Sequence, residues 1–185
     1  MTSSLTRQVV TINPLGFLNE VFTPSFGNLP ATELTAFRAL YDQVKFCAFK
    51  VTYKPRGNIA NVGASASTMR IYSVIDRTDA TPLINVDAAL EYQNCKATLL
   101  TRQHSRYIKC TEPVLLRDIN NAPMLSVSNS RWLQLDDQTI SGTLYSDAVV
   151  AHLGLKVITD PNPSPTNIIY LDRFVKIYLQ FKTRK

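Results

Sequence analysis

The stretch from Phe174 to Lys185 alternates strictly between apolar and basic or polar side chains. Successive side chains of a strand point to opposite sides, so this alternation separates two faces. The apolar face would carry Val175, Ile177, Leu179 and Phe181. The other face would carry Lys176, Tyr178, Gln180, Lys182 and Arg184. The pattern predicts a sheet that covers a core with one face and meets an anionic partner with the other.

Size and charge narrow the class of protein. A chain of 185 residues is close to the usual size of one domain and can bury a sizeable core, so we expect a single domain over residues 1–185. Its 20 basic and 14 acidic residues leave a net charge of +6. This excess favours an anionic partner such as nucleic acid or a sulfated glycan, and ordinary surface charge with no partner is the alternative.

The cysteines and the apolar runs argue against several other classes. Cys47, Cys95 and Cys110 are far apart, with no CxxC and no Cys/His pair at zinc spacing, so we expect reduced thiols, no metal site and no cofactor. The amino terminus, MTSSLTRQVVTI, lacks the charged and apolar regions of a signal peptide. No apolar run approaches the roughly 20 residues that span a bilayer, so no membrane insertion is expected.

Period-two patterning recurs along the chain and predicts mostly strands. The predicted strands are Leu5 to Ile12, Phe17 to Phe22, Gln43 to Lys54, Thr68 to Ile75, Ala97 to Thr101, Ser105 to Cys110, Trp132 to Leu135, Ala151 to Ile158 and Phe174 to Lys182. Helical spacing appears only at Ala31 to Tyr41, where Thr32 is a candidate cap.

The connections between these strands are long and lack tight hairpin signals. They are Pro55 to Ser67, Asp76 to Asn94, Thr111 to Arg131 and Thr159 to Leu171. Long connections suit Greek-key topology, so the predicted fold is all-β, an eight-stranded antiparallel jelly roll made of two sheets. Several connections carry apolar residues, including Leu83, Ile84, Leu115 and Leu125, which predicts that other copies of the chain cover them.

The strand from Gln43 to Lys54 resembles the last strand in its pattern. Unbroken alternation would place Lys45, Cys47, Phe49, Val51 and Tyr53 on one face and Phe46, Ala48, Lys50, Thr52 and Lys54 on the other. If the two strands are neighbours, Lys50, Lys54, Lys176 and Lys182 form one positive surface with Tyr178 among them. The alternative is that these lysines only protect the solvent side of the sheet from unwanted pairing.

Six segments, in one collinear order, resemble a known family. They are LYDQVKFCAFKVTYKP (40–55), IYSVIDRTDATPL (71–83), TRQHSRYIKCTEPVL (101–115), RWLQL (131–135), AHLGLKV (151–157) and IYLDRFVKIYLQFKTRK (169–185). They are similar to segments of the capsid proteins of circoviruses, cycloviruses and related viruses with circular single-stranded DNA. The resemblance implies a jelly roll whose identical copies form a small icosahedral (T=1) shell, the virion, around a single-stranded DNA genome.

One family feature is missing. The resemblance implies an arginine-crowded amino-terminal arm that binds DNA and directs the protein to the host nucleus, whereas residues 1–5 are uncharged and Arg7 is the only nearby cation. Either the chain is truncated here, or packaging depends on the sheet face and the carboxyl tail. The residues predicted to contact nucleic acid are Arg7, Lys50, Lys54, Lys176, Lys182, Arg184 and Lys185, with Tyr178 stacking on an unpaired base.

The segment Arg102 to Cys110 is predicted to be structural. Alternation places His104, Arg106 and Ile108 on one side and Ser105, Tyr107 and Lys109 on the other, so neither face is a cationic stripe. We therefore expect His104, Arg106 and Tyr107 to serve structure or assembly through hydrogen bonds. Attachment to cell-surface sulfated glycans is the alternative for this segment.

No catalytic motif appears. The chain has no nucleophile elbow and no phosphate-cradling glycine loop, and His104 and His152 suit hydrogen-bonded structural roles better than catalysis. Asp136 and Asp137 suit a turn. The sequence therefore predicts a self-assembling structural protein and no enzyme. The second class considered is a β-sandwich that binds glycans without assembling, as lectins do.

Overall fold

A computed structural model describes residues 2–24, 29–56, 68–117, 123–129, 132–135, 138–140, 143–145 and 154–183. The strands are β1 (Thr2–Ile12), β2 (Asn19–Phe22), β3 (Gln43–Pro55), β4 (Arg70–Ile75), β5 (Lys96–Leu99), β6 (His104–Lys109), β7 (Thr111–Arg117), β8 (Pro123–Asn129), β9 (Leu133–Gln134), β10 (Gln138–Ile140), β11 (Thr143–Tyr145), β12 (Leu155–Thr159) and β13 (Ile169–Lys182). The two helices are α1 (Ala31–Leu40) and α2 (Val86–Leu90).

Two antiparallel sheets form the body of the fold. The β13 sheet has the order β1-β13-β3-β6, with β9 pairing the beginning of β3. The β12 sheet has the order β2-β12-β4-β5. Except for β4 and β5, paired strands of these two sheets are not consecutive in the chain, so the chain crosses repeatedly from one sheet to the other. This is the eight-stranded jelly roll that the sequence predicted.

The main core lies between the sheets. Phe46, Phe49 and Tyr53 of β3 meet Ile71 and Val157 of the β12 sheet, all of them at most 2% exposed. A second, smaller cluster joins Tyr72, Val74, Leu83, Ala89 and Ile158. Because this cluster includes α2 and the connection before it, the outer side of the β12 sheet is partly covered by the chain itself.

That second cluster corrects the expectation for the apolar connections. Leu83 is 5% exposed and packs inside the subunit, so it needs no other copy to cover it. Ile84, in contrast, is 86% exposed. The sequence did not predict α2, a short helix whose first turn is capped by the side chain of Asn85, which accepts a hydrogen bond from the amide of Ala88. The side chains of Leu115 and Leu125 lie outside the described ones.

Several predicted boundaries were wrong. The connection Thr111 to Arg131 contains the hairpin β7-β8, and β13 begins at Ile169 rather than at Phe174. Helix α1 is capped by Pro30 without a side-chain hydrogen bond, so Thr32 is not its cap. Strand β12 begins only after Gly154, whose φ of +150° interrupts regular strand geometry. Residues 151–153 of the predicted strand lie outside the described ones.

A β-bulge in β3 overturns the predicted faces of that strand. Tyr178 pairs with Ala48, but the next residue, Leu179, pairs with Phe46, so Cys47 is the extra residue. Before Cys47, each side chain of β3 therefore lies on the opposite side from the one that unbroken alternation predicted. Phe46 is therefore in the core, and Lys45, opposite Gln180, lies on the outward side.

A buried ion pair fixes the connection after β4 to the β12 sheet. Lys156 is 3% exposed, and its Nζ donates to Asp76 Oδ2 at 2.8 Å and to Asp79 Oδ1 at 2.6 Å. Asp76 also accepts hydrogen bonds from Thr78 and from the hydroxyl of Tyr92. Burial by itself raises the pKa of Asp76, but these hydrogen bonds outweigh it and hold the pKa well below its ordinary value.

Candidate nucleic-acid interface

The register of the β13 sheet aligns its outward side chains in rows. Lys176 of β13 is paired with Lys50 of β3, which is in turn paired with Tyr107 of β6. On the other side of Lys176 lies Leu5 of β1. We call the outward side of this sheet the basic face; its described cations are Arg7, Lys45, Lys50, Lys54, Arg56, Lys109, Lys176 and Lys182.

Aromatic rings lie among these cations. Lys176 Nζ is 5.2 Å from the centroid of the Tyr178 ring, and Lys54 Nζ is 5.3 Å from that of Phe174. The rings of Tyr107 and Tyr178 meet edge to face, with centroids 5.9 Å apart. Such contacts hold the lysine side chains against the sheet while their charges remain available. Exposed rings beside cations can also stack on the bases of single-stranded nucleic acid.

Arginine and lysine have different roles on this face. Arg7 and Arg56 both form ion pairs with the carboxylate of Asp172, at 3.2 and 3.1 Å. Among the described residues, no carboxylate forms an ion pair with Lys50, Lys54 or Lys176. The three lysines therefore supply most of the unneutralised positive charge at the centre of the face.

His104 and Arg106 point to the opposite, inner side of β6. His104 is 1% exposed, and its ring nitrogens lie 3.0 Å from Thr98 Oγ1 and 2.9 Å from Ser73 Oγ, which ties β6 to the β12 sheet. Burial, with Lys96 and Arg106 nearby, lowers the pKa of His104 to about 4, so its ring is neutral at pH 7. Arg106 donates from Nη2 to the backbone carbonyl of Asn94.

The structure separates Tyr107 from these two residues. Tyr107 is 53% exposed and lies on the basic face beside Tyr178, on the side of β6 opposite His104 and Arg106, as alternation along this segment predicted. Lys45 and Lys109 are further cations of the face that the sequence did not assign to it. Lys109 could have been found only by knowing that β6 pairs with β3. Arg184 and Lys185, both predicted to bind nucleic acid, lie outside the described residues, as do His152, Asp136 and Asp137.

The family model described as circovirus capsid protein matches residues 2–185. The chain belongs to the circovirus capsid protein family. The resemblance found in its sequence segments is therefore confirmed, and a capsid protein has a structural role in the virion. No curated protein sequence matches this capsid protein.

Solved structures show the same fold. A 60-mer BFDV capsid protein superposes on this capsid protein with a TM-score of 0.71 at 15% identity, covering 98% of this chain and 92% of that one. A decameric BFDV capsid protein gives 0.62 at 14% identity, covering 98% of both chains. The Red Clover Necrotic Mosaic Virus structure gives 0.56 at 15% identity, over 97% of this chain and 55% of that one.

Two negative findings apply to the described part of the capsid protein. No helix there is long and apolar enough to cross a membrane. Within the same residues, no three His, Cys, Asp or Glu side chains are grouped so that they could hold a metal ion.

Proposed function

We propose that this capsid protein assembles with identical copies into a closed icosahedral shell around a single-stranded DNA genome, with the basic face turned toward the DNA. The observation that carries the proposal is the pairing of Lys176 with Lys50 at the centre of the β13 sheet. Lys54 lies on β3, the strand of Lys50. Arg7 lies on β1 and Lys109 on β6, the two outer strands of the β1-β13-β3-β6 path.

A like-charge pair directly opposite across a sheet is destabilising. Lys176 and Lys50 form such a pair, without a carboxylate partner among the described residues, so the free subunit bears a repulsion that a bound polyanion would relieve. Phosphates are the densest source of negative charge in a virus particle, and contacts with them need no particular base sequence. The energetic preference of this face is therefore for a nucleic acid backbone.

A sulfated glycan is the competing polyanion. The rings of Tyr107 and Tyr178 beside the lysines favour nucleic acid, because unpaired bases offer flat surfaces that stack on aromatic side chains. Lys182, and the predicted contacts from Arg184 and Lys185, would extend the same surface along the carboxyl-terminal strand.

The test replaces Lys50, Lys54 and Lys176 together with glutamine. We expect purified particles to contain less nucleic acid, measured by their ultraviolet absorbance ratio. The salt dependence of single-stranded DNA binding should become shallower by about 2 in log–log slope, since each lost contact with a single strand removes about 0.7. The matched control replaces three exposed arginines outside the basic face with glutamine, which makes the same change in net charge. These arginines are Arg70, Arg77 and Arg102.

Two results would contradict the proposal. Particles of the lysine variant with wild-type nucleic acid content would show that the basic face does not hold the genome. Equal losses in the lysine variant and the arginine control would show that only net charge matters. Assembly itself is tested by light scattering of the wild-type protein, where a monomer under all salt and pH conditions would refute the shell.

A further inference from the structure

The basic face contains a groove with a volume of about 240 Å³ above Thr52. Thr52 is paired with Phe174 on one side and with Ser105 on the other. Thr52 and Ser105 have short side chains and their neighbours have long ones, so the surface of the sheet is lower above these two residues than around them. The walls are Leu5, Lys50, Lys54, Gln103, Phe174 and Lys176.

The groove combines two kinds of chemistry. The groove is lined by three lysines, the hydroxyl of Thr52 and the amide of Gln103, all of which can donate hydrogen bonds, and a phosphodiester only accepts them. The remaining wall is apolar: Phe174 and Leu5, the latter 61% exposed. A purely ionic site for inorganic phosphate or sulfate would gain nothing from that wall, whereas the sugar of a nucleotide would pack against it.

An aromatic platform lies next to the groove. Tyr107 is opposite Lys50 and two residues along β6 from Ser105, which is about 7 Å in a strand. Its ring is half exposed and held edge to face by Tyr178. A base attached to a phosphate in the groove could therefore stack on Tyr107. Bases inside a duplex are already stacked and paired, so they could not do so without opening.

We infer that the groove above Thr52 binds one phosphodiester unit of an unpaired nucleic acid strand, whose neighbouring base stacks on Tyr107. The inference rests on the proposed function of the basic face. It adds a shaped site that selects unpaired nucleotides, where charge alone would accept any polyanion.

The first test alters shape without altering charge. Thr52→Leu fills the floor of the groove, and Thr11→Leu makes the same substitution at an exposed position of the same face outside the groove. Binding to a fluorescent ten-nucleotide oligothymidylate is measured by anisotropy, with the full chain mixed with DNA before assembly. We expect Thr52→Leu to weaken binding at least about five-fold and Thr11→Leu to leave it unchanged.

The second test separates base from phosphate. An abasic ten-unit strand carries the same charges as the oligothymidylate, and a ten-base-pair duplex carries more. The wild-type protein should bind oligothymidylate at least about five-fold more tightly than the abasic strand, the least that one stacked base contributes. Tyr107→Leu should abolish this difference with little effect on folding, because the ring is half exposed.

The outcomes are distinct from those of the lysine experiment. Equal affinity for the abasic strand, or tighter binding of the duplex or of heparin fragments, would overturn the inference. So would a well-folded Thr52→Leu protein with wild-type affinity. In each case a reduced nucleic acid content of the triple lysine variant would still support the basic face as the DNA-binding surface. If Thr52→Leu lowers the melting temperature, its weaker binding could come from poorer folding. The inference is then tested by Tyr107→Leu alone.

Discussion

Replacing Lys156 with methionine should destabilise the subunit strongly, because it leaves a buried carboxylate without its cation. Lys156 and Asp76 are 3% and 8% exposed, and their charged atoms are 2.8 Å apart. Breaking a buried ion pair by removing one partner costs about 3–5 kcal/mol. Asp76 keeps its hydrogen bonds from Thr78 and Tyr92, which places the expected loss near the lower figure, about 3 kcal/mol.

The assay is thermal unfolding of dissociated subunits at pH 7. For a domain of this size, about 3 kcal/mol corresponds to a fall in Tm of roughly 6–12 °C. Asp79→Asn is the matched control. It removes the other partner of Lys156, but Asp79 is 51% exposed, so the loss should stay within about 1 kcal/mol. The double variant Lys156→Met/Asp76→Asn should lose less than the sum of the two single changes, since neither charge is then left alone.

The pH dependence gives an independent check. The pKa of Asp76 in the folded protein is below its ordinary value, so its contribution is complete above about pH 4 and is lost as the pH falls further. The pKa of Lys156 is lowered by burial but raised more by Asp76 and Asp79, so the ammonium stays charged to beyond pH 10. Without Lys156, burial raises the pKa of Asp76 in the folded variant, so the difference in stability between wild type and Lys156→Met should be largest at neutral and mildly alkaline pH and should shrink in acid, where Asp76 of the variant takes up a proton first. A variant within about 1 kcal/mol of wild type at pH 7 would refute the reasoning.

Two further predictions concern strand β6. The pKa of His104 is about 4 in the folded protein and about 6.5 in an unfolded chain, so the unfolded state binds the proton first and stability falls as the pH drops from 6.5 to 4. His104→Asn should flatten the decline of Tm over that range, and equal slopes in both proteins would contradict the assignment. Arg106→Ala removes the hydrogen bond to Asn94, so it should lower the free energy of unfolding by more than the roughly 0.5 kcal/mol typical of surface positions. The loss should appear as a lower Tm or a lower particle yield. Stable Arg106→Ala particles that no longer bind heparin would instead make this segment an attachment site.

The sequence predicted the jelly roll because one face of each strand had to be apolar. The sequence made one positive surface conditional on the strand from Gln43 lying next to the last strand, and the structure meets that condition, since β3 and β13 are paired along nearly their whole lengths. The faces of β3 before Cys47 were wrong, because a bulge breaks the alternation and no local residue type announces it. The basic face was therefore predicted in outline, but without Lys45.

Other errors arose where tertiary partners decide. Lys156 lies in a strand of five buried residues, and a lysine there resembles a solvent-facing one until its carboxylate partners from the connection after β4 are known. Tyr107 and Lys109 could be assigned to the basic face only through the pairing of β6 with β3. Alternation within one strand shows which residues share a side, but it does not show which strands share a sheet.

The position of β13 has a consequence for synthesis. This strand lies between β1 and β3, yet it follows β1 by almost the whole length of the chain. At ~5–20 residues per second, a ribosome that has completed β1 needs on the order of ten to thirty seconds to reach β13. Until then β1 has no neighbour in its sheet, and neither does the side of β3 that β13 will occupy. The basic face therefore cannot form before β13 has been made, and a nascent chain that lacks this strand cannot gather DNA on it.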